Sequence, residues 1–152
     1  MMCERNLLQP LSGVLIAVLL GLGSLALPAQ AQTAETGPRL SLELNNAKQV
    51  ESGCRVSFMF HNELGQLVED ISMEVAILDK MSMSQNFLLI STGRLTEGKR
   101  RVLQYDLPEQ SCDEIGTILI NDVSSCEVGE MTPADCLDAL RPSSRVDIKL
   151  SL

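Results

Sequence analysis

The most reactive side chains in this 152-residue chain are one histidine, five cysteines and seven methionines. A serine hydrolase requires a base next to its nucleophile. His61 falls on the polar side of a predicted strand, together with Arg55 and Ser57. The chain contains no Gly-x-Ser-x-Gly sequence that would hold a serine above a sheet. The pattern therefore predicts an exposed surface histidine and no serine hydrolase chemistry.

Adjacent carboxylates offer a second route to catalysis, because two acids that share a proton can act as general acid and base. The chain has two such pairs, Glu69-Asp70 and Asp113-Glu114. Each pair flanks a predicted strand, where neighbouring side chains point to opposite faces. Charges at such positions keep strand edges and turns soluble. We therefore predict that the protein is not an enzyme and has no catalytic residues.

Methionine and histidine side chains would together suit Cu(I), which prefers thioether and imidazole ligands. Met81 and Met83 fall on one side of a predicted extended segment, and Met59 and His61 could lie on a neighbouring strand. Methionines also fill gaps in cores that are poor in aromatic residues, and this chain has three Phe and one Tyr. The favoured interpretation is a packing role, with no metal and no cofactor. A carrier of Cu(I) or of a small ligand is the least favoured alternative function.

Four cysteines remain once Cys3 leaves with a predicted export signal: Cys54, Cys112, Cys126 and Cys136. An even number of cysteines in an exported chain predicts two disulfides. Four cysteines allow three pairings. The preferred pairing joins Cys54 to Cys112 and Cys126 to Cys136, because the second pair then closes a short loop around a predicted helical turn. The spacing favours neither a zinc site nor thiol redox chemistry, since no two cysteines are separated by only two residues.

The first 31 residues have the pattern of a cleaved signal peptide. An apolar run extends over 11–27 and ends in Pro28, and the small residues Ala29 and Ala31 suit a peptidase. We predict cleavage after Ala31, a flexible leader over 32–38, and a periplasmic location with no transmembrane anchor after cleavage. An uncleaved anchor is the alternative, because the segment before the apolar run carries little positive charge.

Residues 39–152 are predicted to form a single all-β domain. Apolar and polar residues alternate with a period of two, and turns that contain Gly, Asn or Pro separate the alternating segments. The predicted strands lie at 40–45, 54–61, 71–78, 86–91, 99–107, 115–123 and 145–152. Seven short strands predict an antiparallel immunoglobulin-like β-sandwich, and a small barrel is the alternative.

One short helical turn is predicted near the C-terminus. Thr132 is a candidate N-cap, Pro133 suits the first helical position, and Asp135 supplies negative charge in the first turn. Arg141 and Pro142 are predicted to end the helix.

The charge balance restricts the partners. The chain has 12 Lys and Arg against 20 Asp and Glu, a formal net charge of -8. Proteins that bind nucleic acid through its phosphates are basic, so we predict no nucleic-acid partner. Lys99, Arg100 and Arg101 form a basic cluster in this acidic chain. The cluster is a candidate docking patch for an acidic partner or for anionic envelope polymers.

Three segments carry a resemblance to a known group of proteins: LELNNAKQVESGCRVSFMFHN from Leu42, ILINDVSSC ending at Cys126, and TPADCLDAL from Thr132, which SSRVDI follows. Together they resemble an uncharacterised family of small exported bacterial proteins with a signal peptide and a cysteine-bearing β-sandwich. The resemblance implies a periplasmic location and a structural role for the four mature cysteines. It implies no activity.

These observations favour a non-enzymatic periplasmic accessory or adaptor module that binds an envelope protein. A homodimer is compatible with this predicted function, because an exposed terminal strand permits edge pairing between copies. The alternative is an inhibitor of a cationic hydrolase such as lysozyme. A rigid loop between Cys126 and Cys136 that holds Glu127, Glu130 and Asp135 would suit a basic cleft.

Overall fold

The computed structural model describes residues 37–152. The predicted signal peptide over 1–31 and residues 32–36 of the predicted leader lie outside the described residues. The described part contains eight strands: β1 (Arg39–Val50), β2 (Gly53–Glu63), β3 (Asp70–Asp79), β4 (Ser84–Ser91), β5 (Arg100–Pro108), β6 (Ile115–Glu127), β7 (Leu140–Ser144) and β8 (Lys149–Ser151).

The strands form two four-stranded sheets, with the orders β5-β2-β1-β7 and β4-β3-β6-β8. Buried residues alternate along β1, β2 and β3, as Leu40, Leu42 and Leu44 of β1 show. These residues belong to one core cluster with apolar side chains of both sheets, among them Phe58 and Ile77. The prediction of an all-β sandwich is therefore confirmed.

The first six strands follow the predicted antiparallel pattern. β2 lies between β1 and β5, and β3 lies between β4 and β6, with antiparallel pairing throughout. In an immunoglobulin-type sandwich the second strand likewise pairs with the first and fifth strands in one sheet. The third strand pairs with the sixth in the other sheet.

The C-terminal region differs from the prediction. Arg141 and Pro142 were expected only to end the helix, but they belong to β7, which pairs parallel to β1. The predicted strand over 145–152 is reduced to β8, which pairs parallel to β6. β7 and β8 lie in different sheets, so the chain must cross between the sheets over 145–148. There the Ser144 hydroxyl bonds to the carbonyl oxygens of Val146 and Ile148 and interrupts the extended backbone.

The predicted helical turn is present as α1 (Pro133–Ala139). The Thr132 side chain accepts a hydrogen bond from the Asp135 backbone N–H, and the Asp135 carboxylate accepts one from the Thr132 backbone N–H. This reciprocal capping explains why so short a helix starts where the sequence predicts. A single 3-10 turn covers Cys112–Glu114, and no helix within residues 37–152 is long and apolar enough to cross a membrane.

Both disulfides form in the preferred pairing, Cys54 with Cys112 and Cys126 with Cys136. The first connects the start of β2 to the 3-10 turn that leads into β6. The second connects the end of β6 to α1. The predicted disulfide framework is therefore confirmed.

Candidate functional site

His61 lies on the outer face of the first sheet and belongs to a network around the Glu63 carboxylate. Its Nδ1 atom is 3.2 Å from Glu63 Oε2. Arg39 Nη2 and Nε donate to the same carboxylate at 2.8 and 3.1 Å, and the Ser41 hydroxyl donates to it at 2.7 Å. The side chain of His61 is half-buried, not exposed as predicted. Ser41 donates its proton to a carboxylate and not to the imidazole, so this network contains no paired nucleophile and histidine base.

The Glu63 carboxylate is a weak base. The Arg39 hydrogen bonds, then the Ser41 hydroxyl and the electrostatic effects of His61 and Arg39, lower its pKa from 4.5 to about 2, against the opposing effect of burial. A carboxylate with this pKa holds its negative charge through the physiological range and serves to join β1 to β2 at their outer surface.

The Glu63→Gln variant should show a weaker dependence of stability on pH than the wild type. A depressed folded pKa contributes stability above the unfolded pKa of about 4.5, and that contribution is lost as the pH falls through about 2. Because the pair is partly solvated, we expect the variant to lose about 1 kcal/mol at neutral pH and to lose less further stability on acidification. Urea unfolding at several pH values measures both effects. Glu97→Gln, in an exposed turn, is the control, and an equal pH slope for Glu63→Gln and the wild type would contradict the role of Glu63.

The methionine and histidine residues considered for Cu(I) are not brought together. Met59 and His61 lie on β2 in the first sheet. Met81 and Met83 lie in the turn between β3 and β4 of the second sheet. The suggestion that they occupy neighbouring strands is wrong, because β2 and β3 belong to opposite layers of the sandwich.

The basic cluster is divided by the geometry of β5. Arg100 and Arg101 are consecutive strand residues and point to opposite faces. Arg101 reaches across to the segment that follows β4, where its Nη1 atom donates to the Thr92 carbonyl oxygen at 3.0 Å. Arg100 is opposite His61 on the outer face of the first sheet, and Lys99 is exposed in the preceding turn. The three cations therefore do not form one flat patch, but all lie at the same end of the sandwich.

The acidic loop between Cys126 and Cys136 is anchored, with its charged side chains at the surface. Val128 is fully buried, and the Glu127 carbonyl oxygen accepts from the Glu69 backbone N–H at 2.9 Å. Asp135 serves the helix cap. The other two acids predicted for this loop, Glu127 and Glu130, are exposed and take no part in the helix cap.

The most unusual surface of the described part is the edge strand β4. Phe87 and Leu89 are 58% and 60% exposed on its outer face, and Met81 and Met83 in the preceding turn are 74% and 52% exposed. Of its inward residues, Ile90 is buried in the core and Leu88 is half-buried against it. β4 thus combines a fixed inner face with an exposed apolar outer face.

The other edge strands carry the features that prevent edge-to-edge association. Charged residues and proline protect sheet edges. Of the four edge strands in the described part, three contain such residues, and they are Arg100, Arg101, Asp106 and Pro108 in β5, Arg141 and Pro142 in β7, and Lys149 in β8. β4 has the sequence SQNFLLIS and contains neither a charged residue nor proline.

Side-chain hydrogen bonds fix β4 at its C-terminal end. The Ser91 hydroxyl donates to Asp70, which also accepts from the Gly93 backbone N–H at 2.9 Å. Burial raises the pKa of Asp70, but hydrogen bonds from Ser91, Ser72 and backbone N–H groups outweigh it and lower the pKa below its ordinary value. The Tyr105 hydroxyl of β5 accepts from the Ser91 backbone N–H at 3.2 Å and donates to the Ser91 carbonyl oxygen at 3.3 Å.

The N-terminal end of β4 is fixed by Asp79. Its carboxylate accepts from the backbone N–H groups of Met81 and Met83 at 2.8 and 2.9 Å, and from Gln85 Nε2 at 2.9 Å. An edge strand held at both ends loses little conformational entropy when another strand pairs with it.

Alternate residues in the middle of β4 point their backbone groups away from β3, toward the open edge. Ser91 bonds to Tyr105 through its N–H and carbonyl groups, and Thr92 donates to Ile71 of β3. In an antiparallel strand, the N–H and C=O groups of successive residues point alternately to the two edges of the strand. The backbone groups of Leu89 and Phe87 therefore face outward, like those of Ser91. The Phe87 N–H is met by the neighbouring Asn86 Oδ1 at 2.8 Å. Leu89 therefore presents its backbone groups at the centre of the edge.

A groove of about 520 Å³ opens beside the N-terminal end of β4. Ile77 and Ile115 contribute apolar walls, and four acidic residues and one lysine line its rim: Asp79, Lys80, Glu109, Asp113 and Glu114. The Gln110 Oε1 atom, also in the lining, has no hydrogen-bond partner within the described part. The groove gives this end of the edge a negative charge.

The comparisons with known proteins do not assign the chain to a family. No protein-family model matches it, and no curated protein matches it. It is similar to the solved structure of IrmA from Escherichia coli, with 13% sequence identity, a TM-score of 0.49, and coverage of 69% of this chain and 91% of that one. Similarity at this level says nothing about function.

The β4 edge was missed in the sequence, although a signal for it exists. Residues 81–93 contain no charged side chain, in a protein where 21% of residues are charged. A long uncharged segment that includes Phe87 and two methionines indicates either a buried strand or an exposed contact surface. The structure excludes a buried strand, because β4 lies at a sheet edge with Phe87 and Leu89 exposed.

Proposed function

We propose that the protein is an exported, non-enzymatic accessory module of the bacterial envelope that binds another protein through the β4 edge. Two disulfides involving all four cysteines of the described part support an oxidising compartment such as the periplasm. The observation that carries the binding role is the neutral, apolar and unprotected β4 strand.

The chemistry of the edge favours a partner that adds an extended strand. Main-chain hydrogen bonds to Leu89 and Phe87 would supply affinity, and alternate side chains of the incoming strand would contact the apolar outer face. The partner strand is expected to be apolar where it lies against Phe87 and Leu89, and basic where it reaches the acidic groove.

Capture from envelope extract with matched variants tests this function. Leu89→Lys places a charge at the centre of the edge, and Val102→Lys places the same charge on the equally exposed edge strand β5. A partner retained by the wild type and by Val102→Lys, but reduced about tenfold or more with Leu89→Lys, supports binding through β4. Equal retention by all three proteins would overturn it.

A further inference from the structure

We infer that, without another partner, β4 pairs with β4 of a second copy of this chain, antiparallel about a two-fold axis. The inference deepens the proposed function and rests on the same edge. It names the occupant of that edge in the free protein. A protein partner would then have to displace the second copy, so self-pairing would regulate access to the site.

The two ends of the β4 edge differ in charge. At the N-terminal end of β4 lie four acids and one lysine: Asp79, Lys80, Glu109, Asp113 and Glu114. At the C-terminal end lie four cations and three acids: Glu69, Asp70, Arg94, Glu97, Lys99, Arg100 and Arg101. Between the two ends the strand is neutral.

Antiparallel pairing places unlike ends together. Two copies related by a two-fold axis have the acidic end of each β4 beside the basic end of the other, at both ends of the contact. An isologous interface repeats every favourable contact twice. A protein with a net charge of -8 would otherwise repel its own copy, so this local complementarity selects one orientation.

The exposed apolar side chains supply the centre of the contact. When Leu88 lies on the two-fold axis, Phe87 of each copy is directly opposite Leu89 of the other. The outward backbone groups of these two residues then bond across the axis. Aromatic and aliphatic side chains paired across strands stabilise a sheet. The contact covers the two most exposed apolar side chains of β4 in both copies.

The mass of the purified exported protein in solution tests the pairing. We expect sedimentation equilibrium to give a dimer for the wild type and for Val102→Lys. Leu89→Lys should raise the dimer dissociation constant by about tenfold or more, because it places two lysines beside the axis. Added salt should also weaken the wild-type dimer, since its ends are joined by unlike charges. A monomeric wild type, or a Leu89→Lys dimer as tight as the wild type, would overturn the inference.

A charge exchange tests the orientation without altering β4. One variant carries Lys99→Glu and Arg100→Glu at the basic end, and the other carries Asp113→Lys and Glu114→Lys at the acidic end. In a dimer of either variant, like charges would face each other at both ends of the β4–β4 contact. Each variant alone should therefore dimerise weakly. A mixture of the two restores unlike charges at both ends, so it should form a heterodimer with affinity near that of the wild type. A mixture no tighter than either variant alone would contradict the antiparallel arrangement.

The failure of this inference is distinguishable from the failure of the proposed function. A wild-type protein that is monomeric but still loses an envelope protein through Leu89→Lys retains the binding function and lacks self-pairing. A dimer that Leu89→Lys disrupts, with no envelope protein captured by any variant, supports self-pairing and removes the envelope partner.

Discussion

Removal of the Cys54–Cys112 disulfide should lower the free energy of unfolding by about 4 kcal/mol. The bond closes a loop with a sequence separation of 58 residues, and a cross-link across so long a loop strongly restricts the unfolded chain. Cys54 is fully buried in the core, so alanine at both positions avoids leaving a buried hydroxyl group. Urea unfolding of the Cys54→Ala/Cys112→Ala protein measures the loss.

The second disulfide is a matched control. Cys126 and Cys136 are separated by 10 residues, and their replacement by alanine should cost about 2.5 kcal/mol by the same dependence on loop length. Equal losses for the two pairs would show that native packing around the sulfur atoms, and not the restriction of the unfolded chain, determines the contribution of each bond.

Local signals made the C-terminal helix predictable almost residue by residue. Thr132, Pro133 and Asp135 lie within four positions of one another, and the capping bonds form among them without help from the rest of the chain. The pairing of the second disulfide could be predicted for a related reason, because Cys126 and Cys136 lie on either side of the start of that helix.

Strands that depend on distant partners were less predictable. β7 contains Pro142 and follows directly after a helix, so its sequence resembles a helix stop. It is extended because β1, about a hundred residues earlier, supplies a parallel partner. The alternation over 145–152 correctly predicted only the part of the strand that forms β8, since the crossing between sheets at 145–148 is a property of the topology.

The candidate site shows the same division. Side chains alternate between the two faces of a strand, so Arg100 and Arg101 point to opposite faces. This could be predicted from the sequence alone. Which strands lie at the edges of the sheets is set by long-range pairing and cannot be read from any one segment. The uncharged sequence of β4 therefore indicates an exposed edge only once the sheet order shows that β3 is its single neighbour in the sheet.

Gly53→Ala should destabilise the protein by at least about 3 kcal/mol. Gly53 begins β2 at a φ of +144°, a conformation that residues with a side chain rarely adopt, and a Cβ atom there would lie 2.1 Å from the Leu107 carbonyl oxygen. Leu107 belongs to β5, and its carbonyl is part of the backbone, so it cannot move aside as a flexible side chain would. Urea unfolding of the variant measures the cost.

Gly65→Ala separates backbone strain from the steric contact. Gly65 also has a positive φ, +77°, but no atom lies within 4 Å of the position of its Cβ. Its replacement should cost only about 1 kcal/mol. If Gly53→Ala cost no more than Gly65→Ala, β2 and β5 would have to separate easily at this point.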